Sequence, residues 1–142
     1  MASLTRQVAS LRQSGAILDV VIARAQPRAV ELVTDEGRGL EAVQVVAMMD
    51  TGASVTAIAP SVVDALRIRR VGFTTIETPG TIHPRTVRQF EVGVMFPNGV
   101  RVVCEVVEAV LGGSIQCLIG RDILSAAELV YAGRENRFTL SF

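Results

Sequence analysis

The sequence predicts a mainly β domain with two or three short helices, and three observations carry this prediction. Apolar, β-branched runs recur along the chain with turn-forming residues between them, as at residues 16–25 and 41–49. From Phe90 to Phe96, large apolar residues alternate with other residue types, which is typical of a half-buried strand. A length of 142 residues fits one domain, and 49% hydrophobic residues indicate that the chain can bury a core.

In the first half of the chain, spacing and turn residues divide the sequence into four parts. Leu4, Val8 and Leu11 fall on one helical face, which favours a short amphipathic helix or arm. A Pro and a run of turn-forming residues separate two apolar runs, so an exposed connection with room for a short strand is expected there. The predicted order is a helix or arm, a strand, the connection and a second strand, at residues 1–15, 16–25, 26–40 and 41–49.

The second half begins with Pro60, which suits the first turn of a helix, and then becomes rich in β-formers. Residues 97–99 read Pro-Asn-Gly between two apolar runs, which is typical of a hairpin turn. The predicted elements are a helix, a long β-rich segment, two strands, a short helix and a turn with a last strand, at residues 60–68, 72–96, 100–111, 115–120, 121–129 and 131–142.

Charge and cysteine content narrow the function classes. Fourteen basic residues balance fourteen acidic ones, so no net field favours a nucleic acid or an anionic membrane as a partner. No stretch approaches the roughly 20 apolar residues of a membrane-spanning helix. Cys104 and Cys117 lack metal-ligand spacing; two buried reduced thiols are expected, with one disulfide as the alternative. We therefore expect a cytoplasmic domain without a metal or cofactor.

Asp50 raises the chemical question of this sequence. It directly follows a predicted strand, and no other ionisable residue lies nearby in the sequence. Burying an unpaired carboxylate there would be costly, so the Asp50 carboxylate must either accept hydrogen bonds or take part in a chemical reaction. Gly52 allows a tight turn and the close approach of another chain, and Thr51 offers a hydroxyl. One interpretation is structural: Asp50 starts an Asx-type turn and accepts the amide hydrogen of Gly52 or Ala53.

A second motif favours a different interpretation. About 70 residues further on, two apolar residues and a Gly precede a short predicted helix, in the order Leu118, Ile119, Gly120 and Arg121. Together with Asp-Thr-Gly-Ala at residues 50–53, this order and spacing resemble the retropepsin-like aspartic proteases, the family of the retroviral proteases and their cellular and bacterial relatives. The resemblance covers residues 16–142 and leaves residues 1–15 as an N-terminal helix or arm.

The resemblance implies a single-lobe acid-protease fold, mainly β and closed like a barrel, with one or two short helices and a flap hairpin. It implies an aspartic endopeptidase in which Asp50, Thr51 and Gly52 form the catalytic motif. Because the chain has one such Asp and this hydrolysis needs two carboxyls around a water, it also implies a homodimer. A peptide or protein is the expected substrate. The substrate-binding residues implied are Gly52, Ala53, Ser54, Thr78, Pro79, Gly80 and Thr81.

Two positions need particular attention within this resemblance. Many retroviral enzymes have an Asp where this chain has Ser54, and that Asp pairs with the Arg after the second Gly. Arg121 must therefore find another acid, and the adjacent Asp122 is one candidate.

The ending Arg-Phe-Thr-Leu-Ser-Phe resembles the strand with which the retroviral enzymes build their dimer. We expect its apolar face to contact a second copy, with a core position as the alternative; the face consists of Phe138, Leu140 and Phe142.

Two other functions remain open at this point. The same fold could serve as a non-catalytic dimerisation or peptide-binding module, and the Ser54 position and a flap with a single Pro-Gly favour that alternative. The Asp-Thr-Gly sequence could also be only a turn in a small β domain, which would then be a monomer.

Overall fold

A computed structural model, which describes residues 2–25, 39–78, 80 and 82–142, confirms the mainly β fold class. The strands are β1 Ser3–Gln7, β2 Ile17–Arg24, β3 Ala42–Met49, β4 Ala57–Ile58, β5 Gly72–Ile76, β6 Arg85–Met95, β7 Arg101–Glu108, β8 Cys117–Ile119, β9 Glu128–Ala132 and β10 Arg137–Ser141. The helices are α1 Leu11–Ser14, α2 Pro60–Leu66 and α3 Arg121–Leu124, with a 3-10 turn at Gly133–Glu135.

Six strands close into a barrel within the described part of the chain. Their order is β2-β3-β8-β4-β7-β6, and pairing of β2 with β6 completes the ring. β5 pairs with the first part of β6, from Arg85 to Gln89, and forms a hairpin with it. The barrel confirms the closed, barrel-like prediction, and its closure leaves no free edge within the ring. Large buried side chains fill the interior, among them Val20, Ile22, Val45, Phe90, Val92, Val106 and Ile119.

The β6–β7 hairpin follows the predicted pattern. Phe90, Val92, Val94 and Phe96 are all buried, as their alternation predicts. The turn at residues 97–99 has Gly99 at a φ of +87°, a conformation that glycine adopts without strain. Local sequence and tertiary packing agree here, because the same residues that favour a strand also face the core.

A second sheet joins the two ends of the chain in the order β1-β10-β9. β10 lies in the middle and pairs with strands of its own chain on both sides. Phe138 and Leu140 are fully buried within a single chain, and the ring of Phe142 packs 5.0 Å from that of Phe96. The expectation that this apolar face contacts a second copy is therefore wrong; the face belongs to the core.

Of the two alternatives predicted for the N-terminal residues, a helix or an arm, the helix is wrong for residues 3–7. These residues form β1, and the helix is limited to the single turn of α1, capped by the Ser10 side chain. Leu4 is buried opposite Leu140, so backbone pairing with a distant strand outweighs the local helical spacing. The boundary between residues 1–15 and 16–142 stays a prediction.

The helix predicted for residues 121–129 is shorter than expected. α3 ends at Leu124, and Glu128–Ala132 form β9, which pairs with β10. The other predicted strands and the helix after Pro60 are confirmed within a few residues. Within the predicted connection at residues 26–40, residues 26–38 lie outside the described residues. In the described part of the chain, no helix is long and apolar enough to span a membrane.

Candidate active site

Asp50 lies at the carboxyl end of β3, where the strand leaves the barrel. Its backbone amide donates to the carbonyl of Ile119 at 2.8 Å, which ties the residue to β8. Its Oδ1 atom accepts the amide hydrogen of Gly52 at 2.9 Å, so the predicted Asx-type bond is present. The side chain is half-buried. Asp50 is therefore held in place by its own loop while it remains in contact with solvent.

The loop after Asp50 is held by the residue that follows the second Gly. The Arg121 amide donates to the carbonyl of Ala53 at 2.8 Å, and its guanidinium donates to the carbonyl of Thr51 at 2.7 Å. Thr51, Gly52 and Ser54 are exposed on this loop. These backbone bonds fix the loop and leave its outer surface available to another molecule.

A hydrogen-bond network that the sequence analysis missed anchors the base of the loop. Thr56 is completely buried, and its amide and hydroxyl donate to the two carboxylate oxygens of Asp122 at 3.0 and 2.8 Å. The Thr56 hydroxyl in turn accepts the Gly120 amide hydrogen at 3.1 Å. Asp122 also accepts the Ile123 amide hydrogen at the start of α3. The sequence does not predict this pairing, because Thr56 and Asp122 are far apart along the chain and come together only in the folded structure.

The proposed pairing of Arg121 with Asp122 is wrong. The Asp122 carboxylate is occupied by Thr56 and Ile123, and the Arg121 guanidinium binds a backbone carbonyl. In the described residues, Arg121 therefore replaces an ion pair with a direct bond to the Asp50 loop.

The second motif lies beside the first. β8 runs parallel to β3, with Leu118 opposite Met48 and Ile119 opposite Met49. A Cβ atom on Gly120 would lie 2.6 Å from the Val55 carbonyl carbon, so only glycine fits this crossing. The structure thus brings together two motifs that are about 70 residues apart in the sequence, as the resemblance implied.

The flap candidates lie on a different element. Thr78 and Gly80 are exposed in the connection between β5 and β6, whereas Pro79 and Thr81 lie outside the described residues. Their role in substrate binding stays a prediction.

A cleft of about 520 Å³ lies along the β5–β6 hairpin and includes Thr78 in its wall. Apolar side chains form most of its wall, including Pro60, Phe73, Ile76, Val87 and Val110. Arg88 and Glu108 form a two-bond ion pair in the wall, with 2.6 Å between Arg88 Nε and Glu108 Oε2. The hydrogen bond to Glu108 raises the pKa of Arg88 above its ordinary value. The cleft suits an apolar side chain beside a fixed pair of opposite charges.

Both cysteines are free thiols, as expected, with Cys117 buried and Cys104 half-buried. Burial raises the pKa of each thiol to about 12, so neither is a nucleophile near neutral pH. The acid at the end of β3 is thus the better candidate for chemistry.

The barrel has a single lobe, and its Asp-Thr-Gly loop packs against Gly120. This arrangement defines the class of the retropepsin-like aspartic proteases, and comparisons with known proteins agree with it. A family model described as aspartyl protease matches residues 33–123, more than half of the chain. The chain belongs to this aspartyl protease family. A comparison with curated proteins finds no match.

Solved structures show the same fold at low sequence identity. The EIAV protease in complex with the inhibitor HBY-793 is 18% identical, with a TM-score of 0.56 over 87% of this chain and 100% of that one. A retropepsin-like aspartic protease from Rickettsia conorii is 16% identical, with a TM-score of 0.50 over 89% of this chain and 92% of that one. The foamy viral protease-reverse transcriptase bound to an RNA/DNA hybrid is 13% identical, with a TM-score of 0.50; the match covers 79% of this chain and only 12% of that one. The retropepsin-like fold is thereby confirmed.

Proposed function

We propose that this protein is a homodimeric aspartic endopeptidase in which the Asp50 side chains of two copies form the catalytic pair. The observation that carries the proposal is the placement of Asp50, half-buried at the end of β3 on a loop fixed by Arg121 and Thr56. One chain contains one Asp-Thr-Gly sequence, so a second copy must supply the second carboxyl.

The chemistry follows from the pairing of two acids. Two carboxyls about 3 Å apart cannot both ionise, so the pair holds one proton and titrates as a unit. The protonated carboxyl polarises the peptide carbonyl, while the ionised one takes a proton from the attacking water. The carboxyl that took the proton from water then donates it to the nitrogen of the scissile bond, and the carbon–nitrogen bond breaks. Because the two carboxyls share one proton, the pair also avoids the cost of two buried negative charges side by side.

The neighbouring residues have proposed roles in holding substrate and partner. Thr51 bonds across the dimer, and Gly52 contacts the substrate backbone with Ala53 and Ser54 beside it. The substrate binds as an extended strand through main-chain hydrogen bonds, with its side chains in alternate pockets. The exposure of Thr51, Gly52 and Ser54 supports these roles. The β5–β6 hairpin, which is the flap candidate, closes over the substrate.

The decisive experiment replaces Asp50 with Asn. Asp50→Asn should abolish cleavage of a peptide library, because the amide can neither share a proton nor activate water, while the fold and the dimer remain. Asp19→Asn, at an exposed carboxylate on β2, is the matched control and should retain the wild-type rate. Cleavage is measured by mass spectrometry, with and without a statine-type transition-state mimic.

The same assay separates the alternatives. Wild-type cleavage by Asp50→Asn would refute the catalytic role. Peptide binding without products in the wild-type protein would favour the non-catalytic module. A cytoplasmic location is also proposed, supported by the two free thiols, and fractionation of cells tests it.

A further inference from the structure

The sheet β1-β10-β9 limits how a second copy can join this chain. β10 has a neighbour on each side, so its backbone groups are already paired. β9 pairs with β10 on one side, and no strand of the described residues pairs with its other edge. An uncovered strand edge is a template for pairing with another chain. A second copy that extends this sheet must therefore do so at β9 or at β1.

The direction of the backbone groups on β9 follows from the hydrogen bonds of the sheet. Ala2 and Phe142 exchange both backbone hydrogen bonds, at 3.1 and 2.9 Å. Such pairs alternate along an antiparallel ladder, so Thr139 directs its backbone groups toward β9, where it lies opposite Val130. The two residues that flank Val130 consequently direct their amides and carbonyls toward the uncovered edge.

The side chains favour β9 over β1 as the docking edge. β9 is apolar in four of its five residues, and Val130 and Tyr131 are 49% and 53% exposed. β1 presents mainly polar residues, including Arg6 and Gln7. Burial of exposed apolar surface drives association, so the apolar edge is the better contact for a second copy.

We propose that β9 pairs with β9 of a second copy, antiparallel about Val130, so that two three-stranded sheets become one of six strands. In this register, Leu129 lies opposite Tyr131 of the second copy, and their outward backbone groups exchange both hydrogen bonds. Val130 meets Val130 of the second copy as a non-hydrogen-bonded pair, in which side chains lie closest. Glu128 lies opposite the uncharged Ala132 of the second copy, so like charges do not face each other. The arrangement is self-complementary, as a twofold dimer requires.

This inference rests on the proposed pairing of Asp50, and β9 is linked to that residue from two sides. The chain reaches β9 from α3, whose first residue, Arg121, binds the Asp50 loop. From the other side, the Tyr131 hydroxyl donates to the carbonyl of Leu11 at 3.1 Å. Five residues after Leu11, the carbonyl of Ala16 accepts the amide hydrogen of the residue before Asp50 at 2.9 Å. Contact at β9 therefore acts on the elements that position the acid.

The size of the strand pair sets a further condition. Five residues on each side bury less than the roughly 1,600 Å² of a standard stable interface. The exposed loops that carry Asp50 must add contacts, so that assembly of the dimer and assembly of the catalytic pair occur together.

Charge substitutions at position 130 test the proposal, because that position faces itself across the twofold axis. Val130→Glu and Val130→Lys should each weaken the dimer by at least about tenfold, since like charges would then meet in an apolar contact. An equimolar mixture of the two variants should restore a dimer, because the opposite charges then face each other. Val103→Glu on β7, a valine with the same 49% exposure, is the matched control and should remain dimeric.

Sedimentation velocity over a concentration series measures these assemblies. A Val130→Glu protein that dimerises like the wild type would overturn the proposal, and so would a mixture that stays monomeric or a wild-type protein that never dimerises. Peptide cleavage is scored on the same samples. A wild-type dimer that Val130→Glu dissociates but that never cleaves would support the edge and refute the hydrolase. An active Val130→Glu dimer would refute the edge and leave the hydrolase in place.

Discussion

Asp50 and Asp122 are two carboxylates at the same loop, and their hydrogen bonds give them different tasks. Asp122 accepts three hydrogens, from the amide and hydroxyl of Thr56 and from the amide of Ile123, so it is an anchor. Asp50 uses Oδ1 to accept the Gly52 amide hydrogen and remains partly open to solvent. We infer that Asp122 holds the loop and that Asp50 acts on the substrate.

Thr56→Val should destabilise the protein by about 1–3 kcal/mol, because it leaves the buried Gly120 amide without its acceptor and removes one of the two hydrogens that Asp122 Oδ1 accepts. Valine has nearly the same shape, so the change removes the hydroxyl rather than volume. Thr5→Val is the matched control: its hydroxyl bonds to Thr139 at 2.8 Å at an exposed position, and little change is expected. Urea unfolding measures both; equal midpoints for the two variants would contradict the anchoring role.

The buried thiols should make stability fall at high pH. Burial raises the pKa of Cys117 from 9.0 to about 12, and the pKa of Cys104 is raised in the same way. Below about pH 9 the thiols keep their protons in both the folded and the unfolded state, so they do not yet lower the free energy of unfolding. As the pH rises toward about 12, the unfolded chain ionises first, so this stability is progressively lost.

Urea midpoints between pH 8 and pH 11 measure this effect. A Cys104→Ala, Cys117→Ala double variant should lose less stability over that range than the wild type. Iodoacetamide should react slowly with the native thiols and quickly in urea. Rapid alkylation of the native protein at pH 8 would contradict the proposed burial.

At the level of secondary-structure elements, the end of β8 crosses the Asp50 loop, and Gly120 makes that crossing possible. The Val55 carbonyl and the Thr56 amide lie within 2.6–2.9 Å of the place that a Cβ atom would occupy. These are backbone atoms, which cannot move aside as a flexible side chain can. The junction therefore fixes the distance between the two motifs.

Gly120→Ala should cost roughly 1–3 kcal/mol or more, because the added methyl forces the two segments apart. It should also lower the cleavage rate, since the shift displaces the loop of Asp50. Gly112→Ala is the matched control, because a Cβ atom there meets nothing within 4 Å. Thermal unfolding and peptide cleavage, compared between the two variants, decide the outcome; a Gly120→Ala protein as stable and active as the control would exclude the crossing as a constraint.

Each copy contains one Asp-Thr-Gly sequence, so the activity of the proposed dimer should depend on the proton that its two Asp50 carboxyls share. Cleavage should be fastest in acid and should decline as the pair loses its single proton. The loss of activity should come from a slower reaction and not from dissociation of the dimer. Sedimentation at each pH checks that the dimer remains assembled. Full activity that persists to about pH 9 would contradict a shared proton.

Local sequence was sufficient for five of the six barrel strands, all except β4, and for the two motifs. The alternation from Phe90 to Phe96 and the turn at residues 97–99 predict the β6–β7 hairpin correctly, because the same residues satisfy strand geometry and burial. Asp50 and Gly120 were also identified from the sequence, and the structure places their segments side by side.

The chain ends show where sequence reasoning fails. The spacing of Leu4 and Leu11 fits a helix, yet residues 3–7 form a strand because β10 offers a partner that is distant in sequence. The apolar face of β10 fits either a core or a dimer contact, and only the position of the strand between β1 and β9 decides for the core. Periodicity reports which residues avoid water, but it does not report what covers them.

The sequence by itself determined the mainly β class, the acid at the end of β3 and the family resemblance, because these depend on short-range patterns and residue chemistry. Tertiary structure alone decided that Thr56 and Asp122 support the loop, that Arg121 binds a carbonyl, and that β9 lies at an edge of its sheet within the described residues. Each of these depends on segments that are far apart along the chain, and their contact is set by how the barrel closes.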